Sequence, residues 1–339
     1  PVAMCCDHKG RLWVAEAHTY PLRASDGEGK DKILIFEDTT GDGVFDTSTT
    51  FIEGLNLVSG LEVGFGGVFV GAAPYLMFIP DRDGDDVPDG VTGEPGSLSP
   101  RVEQASVQFP DDVPPGAIVL RDGFGWQDTH ETLNTFIWGP DGWLYGCHGV
   151  FTHSRVGKPG ATDEDRLPLN ASVWRYHPKK DIFEAFMNGT SNPWGVDFND
   201  KGQAFLTACV IPHLWHVVQG GRYHRQGGQH FNPYTYEDIK TIADHAHYAG
   251  NIADHAWWGH EPKAAGATAD AGGGHAHCGA MIYLGDNWPD TYRNQIFFNN
   301  VHGNRINCDI LEQEVGTSGF VGHHGKDLLL ANDHYFRGI

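Results

Sequence analysis

Twenty histidines lie among 339 residues, and most fall in short turns flanked by Gly and aromatic side chains. Asp128-Thr129-His130-Glu131, Pro212-His213-Leu214-Trp215-His216 and Gly274-His275-Ala276-His277 are three such turns. An imidazole changes charge near neutral pH and is a common metal ligand. Histidines set on turns, rather than scattered through apolar runs, point to a polar site assembled from loops. His213 with His216, and His275 with His277, are candidate transition-metal ligands, because a His-x-His on a strand puts both rings on one face. The competing role is packing, in which an aromatic-flanked histidine simply keeps a hydrogen bond. Trp194, Trp215 and Trp258 carry two readings as well, as stacking platforms or as core.

Two acidic loops offer a second chemistry. Asp38, Asp42 and Asp46 surround Gly41 and Gly43, and Asp81, Asp83, Asp85 and Asp89 surround Gly84. Calcium takes six to eight oxygen ligands, which carboxylates at alternate positions around a Gly turn can supply. Neither loop has the glutamate that closes an EF-hand, so neither is one. The alternative is an Asx-turn, with the carboxylates bonded to the local backbone.

The elements that position these turns read as β-structure. Gly 45, Pro 19 and 12% aromatic residues, with few helical stripes, indicate many short strands and turns. One unit recurs: an Asp/Asn-Gly turn followed by a short apolar strand. It appears at Asp7–Ala15, Gly66–Gly71, Gly139–Gly146 and Asn199–Thr207, and more weakly at Tyr292–Asn299. Second strands follow at Lys32–Phe36 and Ser172–Tyr176. The spacing predicts an all-β fold, a truncated six-bladed β-propeller with five blades visible, loop insertions and a few short helices. A pair of β-sandwiches would not explain the recurring unit. Val91–Gly116 and Gly259–Gly274 read as insertion loops, Tyr236–Ala246 and Asn251–Trp258 as short helices. Residues 1–339 read as one propeller domain, a fragment of a longer chain.

The formal charge of 23 − 44 = −21 argues against nucleic acid and anionic membrane surfaces as partners. No stretch approaches the roughly 18 apolar residues of a membrane span. Six dispersed cysteines without a Cys-x-x-Cys exclude a disulfide-rich scaffold and a zinc ribbon. The neighbours Cys5 and Cys6 are expected to face opposite ways along one strand, rather than to form a vicinal disulfide.

The stretch from Asp128 through Gly139-Pro140-Asp141-Gly142-Trp143-Leu144-Tyr145 resembles the signature of quinone-dependent glucose/sorbosone dehydrogenases. Asn192-Pro193-Trp194-Gly195 and Gln219-Gly220-Gly221-Arg222-Tyr223 resemble two further motifs of that family. More closely, the whole chain resembles the propeller of the membrane-bound dehydrogenases abundant in planctomycetes and verrucomicrobia. The resemblance implies oxidation of a sugar or polyol by pyrroloquinoline quinone and Ca²⁺. It makes His130 the general base, with Asp128 or Glu131 fixing its tautomer. Asn192, Trp194, His213, His216 and Tyr223 would lie at the cofactor. It also implies a periplasmic or cell-surface location and a cytochrome c acceptor. The sequence departs from the pattern in three places. Ser191 stands where the family has Arg, His213 and His216 replace an Asp and an Asn, and one extra residue separates His130 from Gly139.

Two other functions fit a propeller with such loops. A metal-dependent hydrolase of the lactonase kind requires a metal ringed by carboxylates and histidines. A non-catalytic module that binds carbohydrate or protein requires an exposed aromatic rim.

Overall fold

The computed structural model describes residues 1–89, 112–210, 212–231, 237–252, 266–333 and 336. Strands are numbered β1 to β23 along the chain. The chain packs as two compact units: Pro1–Trp138 with Phe151–Asn170 and Tyr176–Glu184, and Gly139–Val150 with Ala171–Arg175 and Ala185–Ile339.

The first unit contains two four-stranded antiparallel meanders. One is β1 (Ala3–Cys6), β2 (Leu12–Glu16), β3 (Asp31–Glu37) and β4 (Thr47–Leu55); the other is β5 (Val58–Val63), β6 (Gly67–Ala72), β7 (Tyr75–Pro80) and β8 (Ile118–Arg121). It also holds β9 (Leu133–Trp138) and the hairpin of β11 (Ser154–Val156) with β12 (Leu167–Leu169). Along β3 burial alternates, so Ile33 and Ile35 turn inward. They join Trp13, Leu61, Val68, Val70, Met77 and Val119 in one core. Burying each such aliphatic side chain contributes about 1.5–3 kcal/mol.

In the second unit lie β10 (Leu144–His148), most of β13 (Ser172–His177), most of β14 (Ile182–Thr190) and β18 (Gly221–Arg225), which follow one another in a sheet. There β18 runs parallel to β14. A three-stranded sheet contains β15 (Asn192–Phe198), β16 (Ala204–Cys209) and β17 (Leu214–Val217). The last meander is β19 (His277–Ile282), β20 (Ile296–Asn300), β21 (Arg305–Gln313) and β22 (Phe320–His324), with β23 (Leu329–Leu330) also on β21.

The recurring sequence unit has a structural meaning. Four copies form β2, β6, β16 and β20, each second in its sheet, and the fifth forms β10. The turn before the strand closes in the same way in three copies. Asp7, Gly139 and Asn199 each donate a backbone N–H to the carbonyl four residues on. The side-chain oxygens of Asp7 and Asn199 each accept two backbone N–H groups, at 2.9–3.0 Å. Gly10, Gly142 and Gly202 then turn the chain at φ +80°, +78° and +73°, where a Cβ is disfavoured.

Cys5 and Cys6 are unbonded neighbours on β1 and point to opposite faces. The helix expected over Tyr236–Ala246 is not formed: residues 237–246 contain no helical turn, make the isolated bridges Tyr223–Ile239 and Ala243–Gly322, and bend at Asp244 and His245. His245 and His247 turn inward there as part of a buried polar group, and a bent chain suits that better than a helical repeat. A four-residue helix, Ala267–Asp270, falls within the loop expected at Gly259–Gly274. Most of the Val91–Gly116 insertion, the second helix from residue 253 on, and Trp258 lie outside the described residues. Among the described residues no helix is long and apolar enough to cross a membrane.

Candidate functional site

Two histidine–carboxylate pairs stand out, one in each unit. In the first unit Asp128 and His130 occupy the turn that leads into β9. Asp128 accepts the His130 backbone N–H at 3.1 Å and meets Nδ1 of the ring at 2.9 Å. The turn is itself anchored: the Thr152 hydroxyl accepts the Asp128 N–H and donates to its carbonyl, both at 3.1 Å. Thr129 donates to the Pro21 carbonyl, and Tyr20 sets its ring edge-on to the imidazole at 5.5 Å. The hydrogen bond to Asp128 raises the His130 pKa, and the same bond lowers that of Asp128. With Nδ1 facing the carboxylate, Nε2 is the nitrogen available for chemistry, on a side chain 56% exposed. The neighbouring carboxyl does something different. Glu131 is buried, its Oε2 has no hydrogen-bond partner, and desolvation followed by repulsion from Asp128 raises its pKa well above the ordinary range. The contact to the ring therefore falls to Asp128 and not to Glu131.

In the second unit His213 and His277 meet in a buried group. His213 Nε2 lies 2.8 Å from Asp309 Oδ2, with both side chains almost fully buried. His277, at the start of β19, places Nε2 3.0 Å from His247 Nδ1. His245 and His247 complete the group, each with Nε2 3.4 Å from Asp309 Oδ1. Phe298 walls it, with ring centroids 5.3–5.6 Å from His213, His247 and His277. Burial drives the His247 pKa down to about 3 and that of His277 well below its ordinary value. Asp309 also titrates low: its burial acts in the opposite direction, and the charge and hydrogen bond of His213 outweigh it. Burial thus holds His247 and His277 neutral beside the Asp309 carboxylate.

The expected ligand pairs are split by the fold. His216 leaves its partner and stacks on Phe205 at 5.1 Å, with Phe320 edge-on at 5.0 Å. His275 sets its ring against His302 at 4.7 Å while His277 joins Asp309's group. Each pair supplies one member to the buried group. The residues the sequence reading missed are His245, His247 and Asp309. Two signals for them were present: Asp244-His245-Ala246-His247 repeats the His-x-His pattern of 275–277, and Asp309 stands between Cys308 and Ile310-Leu311 in β21. Only glycine serves at position 272, at φ +128°, because a Cβ there would collide with the His247 ring.

The acidic loops differ from one another. Both oxygens of Asp38 accept backbone N–H groups, from Gly41 at 2.6 Å and Gly43 at 2.7 Å among others. Asp46 takes the Thr39 hydroxyl and Asp42 the Val44 N–H, so this loop is an Asx turn. In the second loop Asp81, Asp83 and Asp85 bring one oxygen each within 4.8 Å of the others. Asp89 pairs instead with Arg82 at 2.8 Å.

Residues 1–93 and 110–339 match the family described as a domain of unknown function, DUF7133. The chain belongs to that family. No curated protein matches it. Among solved structures, this DUF7133 chain is similar to an oxidoreductase (glucose dehydrogenase) from Thermus thermophilus, at 14% identity and TM-score 0.52, covering 98% of this chain and 84% of that one. It is also similar to the PQQ-bound aldose sugar dehydrogenase of Streptomyces coelicolor, at 13% identity and TM-score 0.52, covering 95% and 80%. At such identity the likeness establishes the fold, a β-propeller.

The positions expected at a cofactor are mostly framework in this DUF7133 chain. Asn192 is buried and accepts the Val150 N–H at 2.8 Å. Tyr223 is fully buried; its hydroxyl accepts from Val218 N–H at 2.9 Å and donates to the His216 carbonyl at 3.0 Å. Ser191 is buried against the Cys209 carbonyl and Gln226. Trp194 remains half-buried, and Trp215 is core, edge-on to Tyr223.

Proposed function

We propose that this propeller is an oxidoreductase acting on a hydroxyl of a sugar or polyol, with His130 removing the hydroxyl proton. The observation that carries the reading is the Asp128–His130 pair: an accessible imidazole whose Nδ1 is held by a carboxylate. A base of this kind needs its proton-accepting nitrogen free and its ring fixed, and Asp128 supplies the second requirement. Asp128 also stabilises the imidazolium that forms once the proton is taken. The fold adds support, because the similar Streptomyces protein is a PQQ-bound sugar dehydrogenase.

A quinone would supply the two-electron acceptor, but the residues nominated for it do not fit one. PQQ is a planar polyanion and requires cationic or donor groups around an open slot. Tyr223 and Asn192 are buried with their polar atoms engaged, His216 is stacked on Phe205, and His213 is bound to Asp309. Ser191, buried and hydrogen-bonded, offers no charge in place of the family's Arg. The part of the reaction assigned to these residues is therefore proton removal at Nε2 of His130; the hydride from the carbinol carbon must pass to a two-electron acceptor such as a quinone, held by groups other than these five. A calcium ion, if the reaction employs one, has its best-grouped oxygens at Asp81, Asp83 and Asp85. An extracytoplasmic location and a cytochrome c acceptor belong to the same reading.

Dye-linked oxidation of a sugar and polyol panel, with and without added PQQ and Ca²⁺, tests it. His130→Ala should lower turnover by about 10²–10⁴-fold, the usual contribution of a general base. Full turnover in that variant, or no oxidation of any panel member by the folded wild type, would overturn the proposal.

A further inference from the structure

We propose that His213, His245, His247 and Asp309 form a closed tetrahedral centre for a divalent transition-metal ion of the zinc type. The proposal is independent of the oxidation chemistry at His130. It rests first on spacing: each of the four residues offers a ligand atom, and all four atoms lie within 4.8 Å of one another. His245 Nε2 and His247 Nε2 are 3.1 Å apart, and each is 3.4 Å from Asp309 Oδ1. A tetrahedral ion with bonds of about 2.0–2.1 Å separates its donors by roughly 3.3 Å. Three of the four donors already stand at that spacing, and His213 supplies the fourth.

Hydrogen-bond partners settle which nitrogens face inward. His245 turns Nδ1 to Asp244 Oδ1 at 3.0 Å, so Nδ1 carries the proton and Nε2 presents a lone pair. His247 turns Nδ1 to His277 Nε2 at 3.0 Å, and in the tautomer that donates there its own Nε2 is a second lone pair. Asp309 Oδ1, on a carboxylate with no exposed surface, has no hydrogen bond. Two lone pairs and an anionic oxygen converge on one point inside the protein, an arrangement that repels itself unless a cation or a shared proton lies between them. Asp244 and His277 then act as outer partners that orient the ligands, as is usual around bound metals. Asp244 is braced in turn by His323, whose Nδ1 lies 2.5 Å from its Oδ2.

The donor set chooses the ion. Three imidazoles and one carboxylate suit zinc and its neighbours, whereas calcium and magnesium demand oxygen. Four protein ligands leave no position for water, so the centre is structural and not a hydrolase site. It pins the chain before β17, the segment carrying His245 and His247, and β21.

The test removes metal with a chelator and titrates the intact chain with Co²⁺, then with Zn²⁺, following the visible d–d bands and the melting temperature. The expected result is one Co²⁺ per chain with the intense spectrum of a tetrahedral site, displaced by Zn²⁺, and a higher melting temperature on loading. His245→Gln, at the more accessible edge, and His247→Gln should each weaken binding at least about tenfold. His216→Gln, stacked on Phe205 outside the group, should leave binding unchanged. A folded wild type that shows no tetrahedral spectrum and no thermal shift overturns the proposal, and a shared proton then holds the group. Unchanged binding in folded His245→Gln and His247→Gln also overturns it. If those variants fail to fold, the wild-type titration decides alone.

Discussion

Asp128–His130 and Asp309–His213 are the same pair of side chains at nearly the same separation, 2.9 and 2.8 Å. What differs is the solvent around them. The His130 ring is 56% exposed, whereas Asp309 has no exposed surface. In the first pair water screens the charges, so the bond mainly fixes a ring and tunes a proton. In the second the carboxylate has lost its hydration and depends on its neighbours for every compensating contact. A similar contact, made through Nδ1 in one pair and Nε2 in the other, thus fixes an accessible ring at one position and compensates a buried carboxylate at the other.

Removing the two carboxylates separately is the most forceful way to break this comparison. Asp309→Ala leaves the buried imidazoles without their acceptor and should destabilise the fold by about 3–5 kcal/mol, the usual cost of removing one partner of a buried pair. Asp128→Ala should cost no more than about 1 kcal/mol, because its pair is exposed. Denaturant titration of both variants beside the wild type measures the difference. Similar losses in the two would mean that burial does not separate the pairs.

The sequence made one half of this comparison visible. Asp128-Thr129-His130 is local, two residues apart on a turn, and its neighbouring Gly139-Pro140-Asp141-Gly142 unit also recurs elsewhere in the chain. The recurring turn was readable because three of its copies close with contacts between residues four apart, which local sequence can encode. The buried group is assembled across long separations: His213 and Asp309 are 96 residues apart, His247 and His277 30. No periodicity reports such a meeting. His213 and His277 were legible as polar residues in unusual company, but not the exchange of partners that gave each a new one. Residues 237–246 show the limit from the other side. Their composition permits a helix, and the buried contacts of His245 and His247 override it.

A pH profile sharpens the account of the exposed pair. Asp128 raises the His130 pKa, so the proposed base is neutral only above the ordinary imidazole range of about 6.5. Turnover should therefore rise along an acid limb displaced to higher pH, and Asp128→Asn should move that limb downward. Linkage gives stability the opposite trend on the alkaline side: the pair's contribution is complete between the unfolded pKa values of Asp128 and His130, and is lost as pH rises through the folded pKa of His130 or falls through that of Asp128. A limb that stays in place in Asp128→Asn would remove Asp128 from the tuning of the base.

The smallest effect is expected next to His130, at Glu131. Its buried carboxyl is held neutral, so above the ordinary carboxylate range the folded state keeps a proton that the unfolded state releases. That makes Glu131 a cost to stability that grows as pH rises towards its elevated folded pKa, in contrast to Asp128, which titrates low in the same turn. Glu131→Gln keeps the shape and removes the titration. Melting curves from acid to neutral pH should show a flatter dependence in the variant, whose stability gains on that of the wild type as pH rises. A large loss would mean that the carboxylate is ionised and paired in the fold. An unchanged slope would mean that Glu131 does not hold its proton. Two adjacent carboxyls in opposite protonation states, one serving the ring and one merely enclosed, are what the difference in burial requires.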